Sequence, residues 1–218
     1  MSETVKRSYD SSRRKEQADQ TRRAVLRAAH DLFVEKGYGR TTVADIARAA
    51  GVSTETIYAT FKNKATLLHR VWDVTIGGDE EPVVFHERPE IKAIRAEPDL
   101  AERFMMHARM FTATAHRTTP FLRAVQGAAG TETSAAEMLA EIGRQRYVGM
   151  GVMAADAAAT GRLAVSEEEC RDLIWATTDG VLWHQLVNER GWSDERFADW
   201  LGRMWVAALV RPRRGGKA

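Results

Sequence analysis

Two sets of side chains in this sequence could do chemistry. The first is Thr54, Glu55, Thr56 and Tyr58, polar groups that fall on the outer face of a short helix whose Ile57 and Phe61 point inward. Their chemistry is hydrogen bonding at an exposed surface. The second set is the histidines His30, His69, His86, His107, His116 and His184, with one cysteine, Cys170. They form no His pair at i, i+4, no His-Glu-x-x-His and no Cys-His cluster, so the pattern predicts no metal site. A phosphate-cradling glycine loop and a nucleophile elbow are also missing. The chain reads as a non-enzyme that needs no cofactor, with an α-helical enzyme or haem protein as the remote alternative.

The first set sits in Thr41 to Lys64. Thr42 stands before Val43, Ala44 and Asp45 as an N-cap with an acidic residue three places on, and Val43, Ile46, Ala47 and Ala50 recur at helical spacing. Gly51 follows the helix and supplies a turn at φ > 0. Val52 fills the gap, and Ser53 is the N-cap of a second helix over 54–60. A helix, a glycine turn and a second helix with a short polar face suit entry into the major groove of DNA.

This stretch, with the helix before it, resembles the DNA-binding domain of the TetR family of bacterial transcriptional regulators. The resemblance rests on Gly37, Thr41-Thr42, Ile46-Ala47, Ala50-Gly51-Val52-Ser53, Ile57-Tyr58, Phe61-Lys62 and Lys64 followed by Leu67-Leu68. It implies that Thr42 and Tyr58 contact phosphates, that Ser53, Thr54 and Thr56 lie at or near base edges, and that Lys62 and Lys64 flank the site, Lys64 holding backbone. Phosphate contacts position the reader and base contacts specify the sequence. Two departures stand out. Ala59 and Thr60 follow Tyr58 where many relatives carry an aromatic or histidine, and Glu55 replaces a small residue. Glu55 either accepts from a cytosine N4 or repels phosphate.

Charge agrees with this placement. Residues 1–64 carry 13 Lys/Arg against 8 Asp/Glu, a net of +5, whereas the whole chain is +2, which leaves −3 for 65–218. Residues 1–18 are polar and basic and are expected to form a flexible arm, a phosphate tracker or a solvated tail. The single cysteine excludes an internal disulfide framework and suits a reducing cytosol. Cys170 reads as a packed thiol before a redox sensor. With no membrane span and no apolar leader, the chain is expected to be cytoplasmic.

The remainder is helical without alternating runs, so the fold class is all-α: a basic arm (1–18), a three-helix reader (19–64), a helical bundle (65–210) and a basic tail (211–218). A fourth helix from Asn63 to Gly78 links reader and bundle. One bundle helix carries Leu100 to Ala115, Pro120 opens another, a long one runs from Ser134 to Gly161, and the last two span about 167–190 and 194–210. Both of these are apolar around most of their girth, from Ile174 to Val187 and from Phe197 to Val210, so each has a second apolar side to cover. The resemblance implies that these two helices join a two-fold dimer, which would read a palindrome in double-stranded DNA.

The resemblance also implies a ligand pocket in the bundle. Phe104, Phe111, Met150, Met153, Trp175 and Trp183 are candidates for an aromatic and thioether lining. His107, His116 and Asp179 are the candidate orienting groups, Asp179 because a buried carboxylate needs a partner. The leading reading is a repressor released by a small apolar or amphipathic effector. A regulator controlled by a protein partner, or an activator, remains the alternative.

Overall fold

The computed structural model describes residues 3–78 and 88–212, with side chains from residue 13 onward. In chain order the helices are α1 (Glu3–Lys36), α2 (Val43–Ala50), α3 (Thr54–Phe61), α4 (Lys64–Gly77), α5 (Pro89–Ala96), α6 (Leu100–Gln126), α7 (Thr133–Ala158), α8 (Glu167–Thr177), α9 (Val181–Trp183) and α10 (Asp194–Leu209). A π-helical turn, His184–Glu189, follows α9. Among the described residues there is no strand, only an isolated bridge between Leu163 and Val210. The all-α expectation holds. The apolar run Val83 to Phe85 and the end of the basic tail lie outside the described residues.

Contacts divide the chain into two compact units. The first comprises Met1–Thr75 with Phe121–Leu139, the second Ile76–Pro120 with Ala140–Ala218. The sequence boundary at residue 64 therefore does not coincide with the structural one. Most of α4 and the stretch 121–139 join the reader because their apolar side chains complete its core. Phe121 lies 6.0 Å from His30, 6.3 Å from Phe33 and 6.2 Å from Trp72, ring centre to ring centre. Val125, Ala135 and Met138 are fully buried there as well.

Several elements differ from the sequence expectation. The arm expected to be flexible over 1–18 continues α1, whose helix begins at Glu3. No glycine or proline precedes Gly37, and Glu, Lys, Arg, Gln and Ala are strong helix formers. Pro120 does not open a new helix but lies inside α6. It has no N–H for the carbonyl four residues back, that of His116. The penultimate helix is broken instead of continuous over 167–190. Thr178 ends α8, and Gly180 at φ 88° turns the chain into α9. A Cβ on Gly180 would stand 2.5 Å from Thr119 Oγ1, so both backbone angle and space require glycine.

The second unit has one large apolar core. Phe104, Met150, Met153, Ile174, Trp183, Phe197, Leu201, Trp205 and Leu209 are buried in it, and Phe111, Leu182, Leu186, Trp200, Met204, Val206 and Val210 pack against it partly buried. One side of α10 fills this core, while Trp200, Met204 and Val206 stay partly open and Ala207 and Ala208 are exposed, so the helix keeps part of its apolar girth uncovered.

Candidate nucleic-acid interface and bundle core

The reader is built from two capped helices set by one turn. Thr42 caps α2: its Oγ1 accepts the Asp45 N–H at 3.1 Å and donates to the Asp45 carboxylate at 2.7 Å, and the Thr42 N–H also donates to that carboxylate at 3.2 Å. The Thr42 hydroxyl and N–H hold the Asp45 carboxyl below its ordinary range. Thr42 is therefore committed to its cap, and a phosphate contact by its hydroxyl requires an exchange of partners. Gly51 at φ 67°, ψ 33° ends α2 with its N–H on the Ala47 and Arg48 carbonyls. Ile46, Ala47, Ile57 and Phe61 are buried beneath.

Ser53 caps α3, its Oγ accepting the Thr56 N–H at 3.2 Å and lying 3.1 Å from Thr56 Oγ1. Ser53 and Thr56 are tied to each other, while the Thr54 side chain hydrogen-bonds the neighbouring Glu55 carboxylate. Glu55 is exposed. Its own backbone N–H and the Ser53 hydroxyl lower its pKa, so it stands ionised at neutral pH. Tyr58 is 51 % exposed, an unusual degree for a large ring, on the solvent side of α3. These groups share one outward helix end with its positive dipole, a surface that can meet base edges and phosphates.

The turn after α3 is tight. Lys62 sits at φ 65°, ψ −51°, and is the one non-glycine residue with positive φ among the described residues. The Asn63 N–H donates to the Phe61 carbonyl at 2.7 Å, closing a γ-turn around Lys62. Asn63 Oδ1 then caps α4 by accepting the Thr66 N–H at 2.7 Å. Lys62 is exposed. Lys64, half-buried, places Nζ 4.1 Å from the centre of the Tyr38 ring. Burial lowers the Lys64 pKa and the Glu132 carboxylate opposes that. Tyr38 escaped the sequence reading because its partners are distant: its Oη lies 2.9 Å from Ser134 Oγ, 96 residues away.

In the second unit the ligand candidates divide. Phe104, Met150, Met153 and Trp183 are brought together in the core with Phe111 against them. His107 lies beside Phe111, ring centres 6.2 Å apart, and is 7 % exposed with its Nδ1 lacking a hydrogen-bond partner. Burial, with the Arg103 charge, lowers its pKa to about 4, so the ring is neutral at pH 7. Trp175 and Asp179 do not join them. Trp175 is 38 % exposed, and Asp179 is exposed with Oδ1 accepting the Val181 N–H at 2.9 Å. The break at Gly180 turns this carboxylate into a local cap. His116 is also outside the core, its Nδ1 2.8 Å from Asp194 Oδ2, while Trp183 Nε1 donates to Asp194 Oδ1 at 2.7 Å. Cys170 is buried and its thiol is pushed up to about 11 by burial and Glu167, which leaves it unreactive at neutral pH.

Among the described residues no helix is long and apolar enough to cross a membrane. Residues 25–71, from within α1 into α4, match the sequence profile of the bacterial regulatory proteins of the tetR family. The HTH-type transcriptional regulator TtgR of Pseudomonas putida is 46 % identical over 61 residues, 28 % of this chain. That match spans 29 % of TtgR's own length. Two solved structures extend the likeness in fold. NalD, the secondary repressor of the MexAB-OprM multidrug efflux pump in Pseudomonas aeruginosa, superposes with a TM-score of 0.63 at 21 % identity, covering 88 % of this chain and 98 % of NalD. The SmeT–triclosan complex gives 0.66 at 21 % identity, covering 91 % and 94 %. TtgR and NalD are regulators by name, in agreement with a non-enzymatic chain. The chain is thus similar to the bacterial regulatory proteins of the tetR family across its reader, and to these two solved structures in fold along most of its length.

Proposed function

We propose that this protein is a sequence-specific DNA-binding transcriptional regulator, a cytoplasmic homodimer that occupies a palindromic operator as a repressor and is released by a small apolar or amphipathic effector. The observation that carries the DNA-binding half is the exposed polar face of α3, with Thr54, Glu55 and Tyr58 outward on a helix capped and seated like a reading head. Lys62 and Lys64 flank it with positive charge. Residues Ser53 and Thr56 hold the helix end while Thr54 and Glu55 read, and Tyr58 meets phosphate.

The effector half is supported by the second unit's core. Aromatic and thioether side chains repack around apolar molecules, and the neutral His107 offers a buried, unpartnered nitrogen for one hydrogen bond. The triclosan held by SmeT is a molecule of that character. An effector shifts the regulator only by its differential affinity for the DNA-bound and released states. Selection of bound DNA from a random pool at physiological salt tests the reading. A palindromic consensus is the expected result, and its release by apolar or amphipathic compounds follows. No enrichment over random sequence overturns it.

A further inference from the structure

Glu55 is the second residue of α3 and the single charged residue in that helix. It is exposed, on the turn that a helix-turn-helix reader brings to base edges. The neighbouring hydroxyls are spent within the helix, Ser53 and Thr56 on each other and Thr60 on the Thr56 carbonyl at 2.9 Å. Asp45, the carboxylate of α2, is neutralised by contrast: it takes the Thr42 cap bonds and lies 3.3 Å from Arg48. Among the described residues no cation is paired with Glu55. The groups that act on its carboxyl are its own N–H and the Ser53 and Thr54 hydroxyls.

An unneutralised carboxylate on a face that meets DNA is repelled by every phosphate backbone, whatever the sequence. Only a base edge that donates to it offsets that cost. We infer that Glu55 selects a cytosine in the operator half-site, accepting a hydrogen bond from its N4 amino group in the major groove, and rejects base pairs that place an acceptor there. The inference rests on the DNA-reading proposal above and adds which base one side chain chooses.

The choice of base follows from what an ionised carboxylate can do, which is to accept and never to donate. Guanine presents N7 and O6 and thymine presents O4, all acceptors that repel it. Adenine has a donor at N6, but its N7 acceptor sits beside that donor and opposes the second carboxylate oxygen. Cytosine offers N4 without a neighbouring acceptor. The local donors on Glu55 hold the side chain in place before DNA arrives, so reading costs little side-chain freedom. A carboxylate in the first turn also supports the helix through its dipole. Glu195 isolates that contribution: it is the second residue of α10, exposed, and held by its own N–H and the Ser193 hydroxyl in the same way, but away from the reader.

Parallel selections from a random DNA pool with full-length wild type, Glu55→Ala and Glu55→Gln test the assignment. Wild type is expected to enrich cytosine at one position of each half-site. Glu55→Ala should lose that one preference and keep the rest of the consensus, and Glu55→Gln should exchange cytosine for adenine, whose N6 and N7 match a side-chain amide. In titrations wild type should bind the cytosine duplex about tenfold or more tighter than the thymine duplex, and Glu55→Ala should abolish that ratio. On random duplexes Glu55→Ala should bind more tightly, because a negative charge leaves the face that meets phosphate. Glu195→Ala is the control and should leave every preference unchanged. A consensus identical in all three proteins, with Glu55→Ala raising affinity on every duplex alike, overturns cytosine selection and leaves Glu55 a repeller of phosphate only. A wild-type pool with no enrichment removes the DNA-reading proposal itself, and cytosine selection with it.

Discussion

The Lys64 ammonium lies 4.1 Å above the Tyr38 ring. The ring is buried and the cation reaches outward from the first residue of α4, so one tyrosine fixes where a positive charge stands beside the reading helix. Tyr38→Phe keeps the ring and loses the Ser134 hydrogen bond. Stability should fall by about 1 kcal/mol in a denaturant melt, with unchanged DNA affinity. Lys64→Ala should instead lower the slope of log affinity against log salt by about 1. An unchanged slope removes Lys64 from the interface.

Readers of sequence and of phosphate should separate by variant. Tyr58→Ala is expected to weaken binding to specific and random DNA alike, whereas Thr54→Ala changes preference at one position by about 1–3 kcal/mol. Ser53→Ala loses the α3 cap and about 1 kcal/mol of stability before any contact with DNA is considered. Binding titrations on consensus, single-mismatch and random duplexes distinguish these roles. Equal losses from Tyr58→Ala and Thr54→Ala on every duplex would merge them.

Lys62 occupies a backbone region that strains any side chain. Relief of about 1–3 kcal/mol outweighs the extra chain entropy of glycine, about 0.4–1 kcal/mol, so Lys62→Gly should raise stability while removing one charge next to α3. Gly51→Ala is the converse. It meets no atom within 4 Å, so its cost, about 1–2 kcal/mol, is purely that of a left-handed backbone with a Cβ. Midpoints moving in the same direction would contradict this account of the two turns.

His107 gives a pH signature. Its folded pKa of about 4 is depressed from 6.5, so the unfolded chain takes the proton more readily. Its effect is absent above about pH 6.5 and destabilises progressively as pH falls towards 4, by up to about 3 kcal/mol. His107→Phe should flatten the melting temperature over that window. A wild-type and a variant curve that run parallel from pH 7 to 4 would show that His107 does not titrate with unfolding.

The reader was legible because its rules are local. Caps at Thr42 and Ser53, the turn at Gly51 and the inward Ile46, Ile57 and Phe61 each follow from neighbours within four residues. The aromatic seat of Phe121, the link from Tyr38 to Ser134 and the cation over Tyr38 were not, because each joins residues far apart in sequence. In the bundle, Phe104, Met150, Met153 and Trp183 could be grouped by hydrophobicity alone. Asp179 was misplaced because a helix drawn straight through Gly180 buries it, whereas the break makes it a local cap; Trp175 lies on α8 beside the buried Ile174 but on the open side, which hydrophobicity alone does not reveal.

The π-helical turn at His184–Glu189 has a consequence for length variation in this chain. Its Arg190 N–H reaches back five residues to the Gln185 carbonyl, so this turn holds a surplus residue relative to an α-helix. Removal of a single residue there lets the segment fall back into ordinary α-helical register, with Ser193 still free to start α10. The same deletion inside α3 would rotate every following side chain by about 100°, turning Tyr58 away and Ile57 outward. A one-residue deletion is therefore a modest edit in one helix of this protein and an erasure of its reading surface in another.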